Sequence, residues 1–326
     1  MQQDKRVLTV RLNCPAHLSE QAQALLRTQK WVSAMSVLPG ASAVPAGDLI
    51  YVDIPRESAN EVVEALRALG IDDEGTIAIN DTPTWISRPA FQAQQEAPGA
   101  GNDAVVWASV TERAYTESAL SWSYISFMIL ATVLVAIAIV TDSVILVIGG
   151  MVLGPEFVAV ASLGLALVRK RPMLFRQAAR TLVIGFAISI AAAAAFASIG
   201  RLVGLITVEQ ISGPRPGTGF IYSPNIWVFL VALIAGIAGV LALTSTSSGA
   251  LIGVFISVTT IPASGDAAIS VVFGQWREFA GSLTMLTINI TGMALAGWAT
   301  LAIQQQVWNR VRARAGSSGR PRPADQ

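Results

Sequence analysis

Residues 141–171 read TDSVILVIGGMVLGPEFVAVASLGLALVRKR, a long apolar run followed by a basic cluster. A helix needs about 20 apolar residues to cross the hydrocarbon core of a bilayer, and the run at 143–168 is long enough. The run is interrupted near its middle by Gly154-Pro155-Glu156. Proline lacks a backbone donor and clashes with the preceding turn, so the sequence predicts a membrane-spanning helix that kinks or splits at this point.

Five further apolar stretches surround this one, at about 123–140, 181–200, 226–243, 249–274 and 279–303. The whole chain is 53% hydrophobic and only 13% charged. Soluble domains carry about 25% charged residues, so the deficit indicates an apolar solvent for much of the chain. We therefore predict a multi-pass membrane protein whose partner is the lipid bilayer, with about six helices in a domain spanning 122–305.

Basic residues in short loops predict the orientation of the helices. Residues 169–180 contain five Arg or Lys and no acid, and residues 310–322 contain five Arg. With six crossings, both clusters and both termini fall on the cytoplasmic side of a cell membrane. An odd number of crossings would place one cluster outside. The net charge of +1 and the scattered basic residues give no phosphate-tracking surface, so nucleic acid is not an expected partner.

Residues 1–80 have the composition of a soluble domain. Alternating apolar and polar residues predict strands near 6–12, 33–38, 48–54 and 75–79, with the second strand ending at Pro39-Gly40. Helical periodicity predicts helices at 19–29 and 58–69. The order βαββαβ predicts an α+β, ferredoxin-like domain. Such a domain serves either oligomerisation or ligand sensing, and the fold alone does not choose between them.

Residues 81–121 connect this domain to the membrane region. Pro, Gly and Gln in 81–102 predict a linker, and 103–121 is predicted to be a helix at the membrane interface. Trp107, Tyr115, Trp122 and Tyr124 suit the headgroup level, where amphipathic aromatics collect. Residues 306–326 are predicted to be a basic, disordered cytoplasmic tail.

A second interruption lies at Pro262–Gly265, in the fifth apolar stretch. The two breaks occupy the middle helix of each set of three, and turns at 141–143 and 247–249 precede them at similar distances. Inverted repeats with broken helices in matching places are typical of secondary transporters. We therefore expect two broken helices and a 3+3 inverted repeat.

Three segments resemble a known family: TDSVILVIGGMVLGPEFVAVASLGLAL (141–167), AGIAGVLALTSTSSGALIGVFISVTTIPASGDAA (235–268) and TMLTINITGMALAG (284–297). They are similar to the hydrophobic domain of the bacterial and archaeal domain-of-unknown-function 389 family. The similarity covers most of residues 105–305, and the N-terminal domain resembles one that some members carry. The resemblance implies an uncharacterised membrane protein. Glu156 departs from it, because members often have apolar residues after that proline.

Glu156 is the sharpest candidate for a site residue, together with Gly154 and Pro155. A carboxylate in the middle of an apolar helix is costly and is usually functional. The alternative is that Glu156 caps the second half of a split helix by accepting its free N–H groups.

The other candidates are balanced in the same way. Asp142 is either a turn residue or a site residue, and Asp266, just after Pro262, is either a cap or a site residue. Asn289 has interhelical hydrogen bonding as its alternative role. The pairs Gly150/Gly154, Gly200/Gly204 and Gly249/Gly253 match the close-packing pattern of membrane helices.

Motifs for enzymes, cofactors and metals are not found in the sequence. There is no Walker loop, G-x-S-x-G, H-E-x-x-H or cysteine pair, so we expect neither an enzyme nor a bound cofactor or metal. The leading hypothesis is a transporter or channel for an ion or small solute. The alternative is a non-transporting scaffold or sensor whose soluble domain binds an effector or partner. A small soluble domain and glycine-rich helices predict a homo-oligomer.

Overall fold

A computed structural model describes residues 7–82, 87–96, 105–213, 216–218, 221, 226–244 and 250–318. The chain divides into two compact units, one of residues 1–110 with 306–326 and one of residues 111–305.

The N-terminal unit is built on a four-stranded antiparallel sheet in the order β2-β3-β1-β4. All four predicted strands and both predicted helices are present. The elements, in chain order, are β1 (Val7–Pro15), α1 (Ala16–Thr28), β2 (Ala34–Ala43), β3 (Ala46–Pro55), α2 (Ala59–Ala68), α3 (Ile71–Glu74), β4 (Thr76–Thr82) and α4 (Arg88–Glu96).

The core of this unit follows from period-two alternation along the two central strands. Every second residue of β1 and β3 is buried and packs against the apolar faces of α1 and α2. The fully buried side chains include Leu8, Val10, Leu12, Ile50, Val52, Ile54, Leu26 and Leu66. Direct cross-strand pairing of Val10 with Val52 and of Leu12 with Ile50 keeps the alternation in register.

Asp48 on β3 connects the sheet to two neighbouring segments. Its carboxylate accepts a hydrogen bond from the Ser19 hydroxyl on α1 and another, of 2.9 Å, from the Gly40 N–H. The hydrogen bond from Ser19, followed by that from Gly40, lowers the pKa of Asp48 below its usual value. Cys14, whose side chain is buried, has a raised pKa, chiefly because burial disfavours the thiolate.

Two predictions for this unit need correction. Strand β2 does not end at Pro39-Gly40 but continues to Ala43, because a bulge between Leu38 and Ser42 absorbs the turn residues. Gly40 lies in this bulge with φ +68°, a conformation that glycine adopts without a steric penalty. The predicted linker at 81–102 also contains helix α4, on which Ala90 and Ala93 are buried.

The second unit is helical. Helix α5 (Trp107–Glu117) lies at the boundary of the two units. The helices that follow are α6 (Trp122–Val140), α7 (Val144–Leu153), α8 (Phe157–Val168), α9 (Pro172–Leu202), α10 (Val208–Ser212), α11 (Ile226–Thr244), α12 (Ala250–Val272) and α13 (Trp276–Ser318).

In the described part of the chain, four helices are long and apolar enough to cross a membrane: α6, α9, α11 and the first 33 residues of α13. The pair α7 and α8 passes the same test as one bent span, which gives up to five. Helix α12 covers most of the fifth predicted stretch and is 23 residues long. The structure describes the side chains of only part of this helix. Six crossings therefore stay a prediction.

The predicted break at Pro262 is wrong. Helix α12 runs from Ala250 to Val272 with Pro262 inside it. A membrane helix tolerates one proline when neighbouring helices and hydroxyl side chains compensate for the lost hydrogen bond, and Ser264 donates one of 2.7 Å to the Ile261 carbonyl. The inverted repeat thus loses the matching breaks that motivated it. The predicted turn at 247–249 lies outside the described residues.

Two helices are longer than predicted. Helix α9 begins at Pro172, so Arg176 and Arg180 of the basic cluster lie on its first turns, whereas the other three basic residues of 169–180 precede the helix. Helix α13 continues to Ser318, into the segment predicted to be disordered from residue 306. Residues 306–318 include Gln, Arg and Ala, which have a high helix propensity.

Helix α6 is packed closely by two neighbours. A Cβ on Gly150 of α7 or on Gly265 of α12 would collide with Val135, which lies between them on α6. A second apolar cluster joins α6, α9 and α12 through small side chains such as Ala136, Ala193 and Ala268. Small residues let the helix backbones approach closely. Such packing is expected in a bilayer, where the hydrophobic effect does not drive helices together.

We expect Gly47→Ala to destabilise the N-terminal unit by about 3 kcal/mol or more, because the new Cβ would overlap the Cys14 carbonyl oxygen and the backbone cannot yield. Gly40→Ala is the control. Nothing lies within 4 Å of its Cβ, so only the left-handed backbone costs energy, about 1 kcal/mol. Hydrogen exchange of the β1 and β3 amides in the full chain measures both. Equal protection in the two variants would contradict the steric account.

Candidate functional site

The first predicted break is present. Helices α7 and α8 are bent by 55° across Gly154-Pro155-Glu156. Gly154 leaves the helical conformation with φ −63° and ψ 120°, the extended geometry favoured before a proline. At the other end of α7, the Ser143 hydroxyl accepts a hydrogen bond from the Leu146 N–H, which fixes where that helix starts.

Glu156 lies at the start of α8 and is fully buried. Its side chain makes no capping hydrogen bond to that helix, so the capping interpretation is wrong. Instead, its Oε1 accepts a hydrogen bond of 2.6 Å from the Thr260 hydroxyl on α12. The acid thus joins two segments that are 104 residues apart in the sequence.

A second polar contact ties α12 to α6. The hydroxyls of Thr132 and Ser264 lie 3.2 Å apart, and both side chains are fully buried. Ser264 donates its one proton to the Ile261 carbonyl, so Thr132 is the donor to Ser264. Thr260 and Ser264 are four residues apart and therefore lie on the same face of α12.

Asp266 is the second fully buried carboxylate of the membrane unit. Its Oδ2 accepts a hydrogen bond of 2.6 Å from the Ser282 hydroxyl on α13 and one of 3.4 Å from Ser270, one turn along α12. Asp266 therefore joins α12 to α13, as Glu156 joins the broken span to α12.

Asp142 has a different environment. It lies in the turn between α6 and α7 with φ +46°, which Asp tolerates better than most residues. Its Oδ1 accepts a hydrogen bond of 2.9 Å from the Thr218 hydroxyl, and its Oδ2 accepts one of 3.2 Å from the Gly217 N–H. Asp142 therefore holds the 216–218 segment against the turn between α6 and α7.

Asn289 and Pro262 complete the predicted set. Asn289 is fully buried on α13, seven residues or about two turns after Ser282. Pro262 lies on α12 between Thr260 and Ser264 and therefore within the polar segment. The structure thus joins Glu156, at the break, to α12, the helix that also carries Pro262 and Asp266.

The glycine motifs have different outcomes. Gly150 packs against α6, but its predicted partner Gly154 lies in the break. Gly200 packs against Ile206, and Gly204 forms a turn with φ +75°. Gly249 lies outside the described residues, and the surroundings of Gly253 are not described. Gly164 on α8, which sequence reasoning did not single out, lies close to the α13 backbone at Trp298.

Tyr124, at the start of α6, is packed inside the helical unit. We expected it at the membrane interface, but it is 5% exposed and its ring contacts the position of Gly185 on α9. Within the described residues its hydroxyl is buried without a hydrogen-bond partner.

Sequence reasoning also missed the hydroxyl partners Thr132, Thr260, Ser264 and Ser282. The available signal was the four-residue spacing of Thr260 and Ser264 within an apolar run. In the described part of the chain, no three His, Cys, Asp or Glu side chains converge as a metal site requires.

Comparison with known proteins gives one match. No curated protein and no solved structure shows significant similarity to the chain. The model of the family described as Domain of unknown function (DUF389) matches residues 151–295, which include the break, α12 and the first part of α13, as far as Leu295. The match confirms the resemblance seen in the sequence: residues 151–295 are similar to this family.

Proposed function

We propose that the protein is a transporter or channel for an ion or small solute, with its site where the α7–α8 break meets α12. One observation carries the proposal: the fully buried Glu156 carboxylate lies at a helix break and accepts a hydrogen bond from Thr260 on another helix. Breaks of this kind, near the middle of the membrane, are where transporters place their substrate and coupling-ion sites.

The cost of these acids supports a functional role. Burying a carboxylate in an apolar interior carries a desolvation penalty of several kcal/mol. A purely structural contact between two membrane helices needs no such group, since small residues and neutral hydroxyls suffice. Glu156 and Asp266 both carry this cost at one helix, α12.

The membrane arrangement that we propose has six crossings, with both termini in the cytoplasm of a cell-membrane protein. Support comes from the four long apolar helices, the bent α7–α8 span and the 23 residues of α12. This even number places the basic residues at 169–180 and 310–322 on one side, as the positive-inside rule requires.

For the N-terminal unit we propose a ferredoxin-like fold. The strand order β2-β3-β1-β4, antiparallel throughout, supports it, as do α1 and α2, which lie between β1 and β2 and between β3 and β4 in the sequence.

A second candidate function is a scaffold or sensor whose N-terminal unit binds an effector or a partner, including a second copy in a homo-oligomer. The observation that favours it is an exposed pair on the sheet. Arg11 on β1 and Tyr51 on β3 are direct cross-strand neighbours and both are exposed, on the face opposite the core residues. An exposed arginine beside an aromatic ring is typical of a binding surface.

In proteoliposomes, Glu156→Gln is expected to lower the flux of the transported species about tenfold or more, because the amide keeps the shape but removes the charge of a buried hydrogen-bonded acid. A panel of ions and small solutes, with and without a proton gradient, measures the flux. Glu209→Gln, an exposed acid on α10, is the matched control. If Glu156→Gln equals wild type at every pH, Glu156 is structural. If wild type moves nothing, the scaffold or sensor function replaces the transporter.

Single-cysteine labelling is expected to place residue 208 outside the cell and residue 175 inside. Both side chains are exposed, and the one native cysteine, Cys14, is replaced by Ser in the test protein. An impermeant maleimide added to intact cells should label Val208→Cys but not Phe175→Cys, and permeabilised cells should show both. Labelling of residue 175 from outside would reverse the orientation or change the number of crossings.

A further inference from the structure

The connection between α8 and α9 carries a cluster of exposed basic side chains. Arg169, Lys170 and Arg171 are consecutive between the two helices, and Arg176 and Arg180 follow on the first turns of α9. All of them except Arg169 are exposed, and we call these four exposed residues the basic corner. Neither α8 nor α9 contains an acid, so the basic corner has no counter-charge on its own helices.

The charges of the basic corner are not neutralised within the described part of the chain. None of its four side chains makes a hydrogen bond or an ion pair with another described residue. By contrast, Arg113 on α5 pairs with Glu117, and Arg201 at the other end of α9 donates a hydrogen bond to the Val272 carbonyl. Four neighbouring positive charges repel one another, and an anion from outside the chain would remove this repulsion.

Lys170 occupies a backbone position that favours glycine. Helix α8 ends in a Schellman motif, in which the Arg171 N–H donates a hydrogen bond of 2.9 Å to the Ala166 carbonyl. The Lys170 N–H donates a second one, of 3.4 Å, to the Leu167 carbonyl. Lys170 has the left-handed backbone of this motif, with φ +51°. Glycine adopts this conformation without the steric cost that a residue with a Cβ incurs.

The left-handed residues at other helix ends of this unit show why a lysine is unusual there. The same type of helix end has Gly204 after α9, Gly274 after α12 and Asp142 after α6. Asp142 has an internal reason, because its carboxylate accepts a hydrogen bond from the Thr218 hydroxyl. The Lys170 side chain has no such contact among the described residues. Its charge therefore indicates a role toward a partner outside the chain.

The start of α9 adds hydrogen-bond donors for an anion. The first N–H groups of a helix have no acceptor within it, and a partial positive charge gathers there. Ser, Thr, Asp and Asn are the preferred N-cap residues, because their side chains accept hydrogen bonds from these groups. The N-cap residue of α9 is Arg171, whose side chain makes no capping hydrogen bond and adds a positive charge. Such a helix start, surrounded by basic side chains, suits a phosphate group.

The basic corner continues into an apolar surface along α9. Arg176 and Arg180 are one turn, or about 6 Å, apart on one face of the helix. Val183 and Ala187 follow on the same face, and both are exposed, Val183 by 70%. Side chains of a helix lean toward its N-terminus, so the two arginines extend away from this apolar surface toward the α8–α9 connection.

We propose that the basic corner is a binding site for an anionic phospholipid. Its phosphate binds Arg171, Arg176 and the free N–H groups at the start of α9, and its acyl chains lie along Val183 and Ala187. A lipid fits better than a soluble phosphate, because the charges adjoin exposed apolar side chains on a helix that is long and apolar enough to cross a membrane. The site does not depend on the proposed transport function and would exist in a protein that moves nothing.

The test places a fluorophore beside the site in the full chain. Met173→Cys, a position that is 79% exposed and one turn before Arg176, carries the label, and Cys14 is replaced by Ser. The protein is reconstituted in phosphatidylcholine vesicles that contain a rising fraction of spin-labelled phosphatidylglycerol or spin-labelled phosphatidylcholine. Quenching at a lower fraction of the anionic lipid measures its preference at this position, and we expect added salt to reduce that preference.

Removing the charges should reduce the preference for phosphatidylglycerol by about fivefold for each basic residue. Arg176→Gln with Arg180→Gln is one variant, and Lys170→Gly is the other. Lys170→Gly should keep or raise the melting temperature in phosphatidylcholine, because glycine suits the left-handed backbone, so a loss of lipid preference cannot come from unfolding. The matched control, Arg277→Gln, replaces an exposed arginine in the first turn of α13 and should equal wild type.

Three results would overturn the inference. Equal quenching of the wild type by the two lipids would mean that no anionic lipid is selected at this position. An unchanged preference in both Lys170→Gly and the double arginine variant would place the lipid elsewhere on the protein. Loss of the preference when excess inorganic phosphate is added at constant ionic strength would assign the basic corner to a soluble anion instead of a lipid.

Discussion

The energetic cost of burying a carboxylate away from water is the constraint on which the membrane unit depends. Glu156 is fully buried in a helix break, where its charge needs hydrogen-bond donors that an apolar helix does not supply. Thr260 on α12 is such a donor, so α12 has to lie against the break at that height. Asp266 sets the same requirement for α13 through Ser282. The two acids thus fix the relative positions of three segments far apart in the sequence.

Close backbone approach is the second requirement, and glycine meets it. A hydroxyl hydrogen bond of 2.6 Å between helices needs short interaxial distances, and larger side chains at the contacts would prevent it. Gly150 and Gly265 bring α7 and α12 onto the same side chain of α6, Val135. Polar contacts and small residues therefore act together: the glycines allow the approach, and the hydroxyls and acids select which helices approach.

A helix break was predicted at both prolines, and it is present at Pro155 but not at Pro262. Pro155 follows a glycine and precedes an acid, and the chain opens there into two helices bent by 55°. Pro262 lies in a helix that contacts α6, α7, α9 and α11 and stays continuous. Each proline removes a backbone hydrogen bond from its helix. In α12, packing on several sides and the hydrogen bond from the Ser264 hydroxyl keep the helix continuous.

The sequence by itself determined the apolar helices, the strands of the N-terminal sheet and the bent span at Pro155, because hydropathy, period-two alternation and proline act over short segments. It also showed the resemblance of residues 151–295 to a family. It also singled out Glu156 and Asp266, since an acid in an apolar run is conspicuous. Only the tertiary structure decided their partners. Thr132 and Ser282 are ordinary residues in membrane helices, and nothing in the neighbouring sequence marks them. Their importance comes from contacts across 16 to 132 residues of sequence, and long-range packing alone creates those contacts.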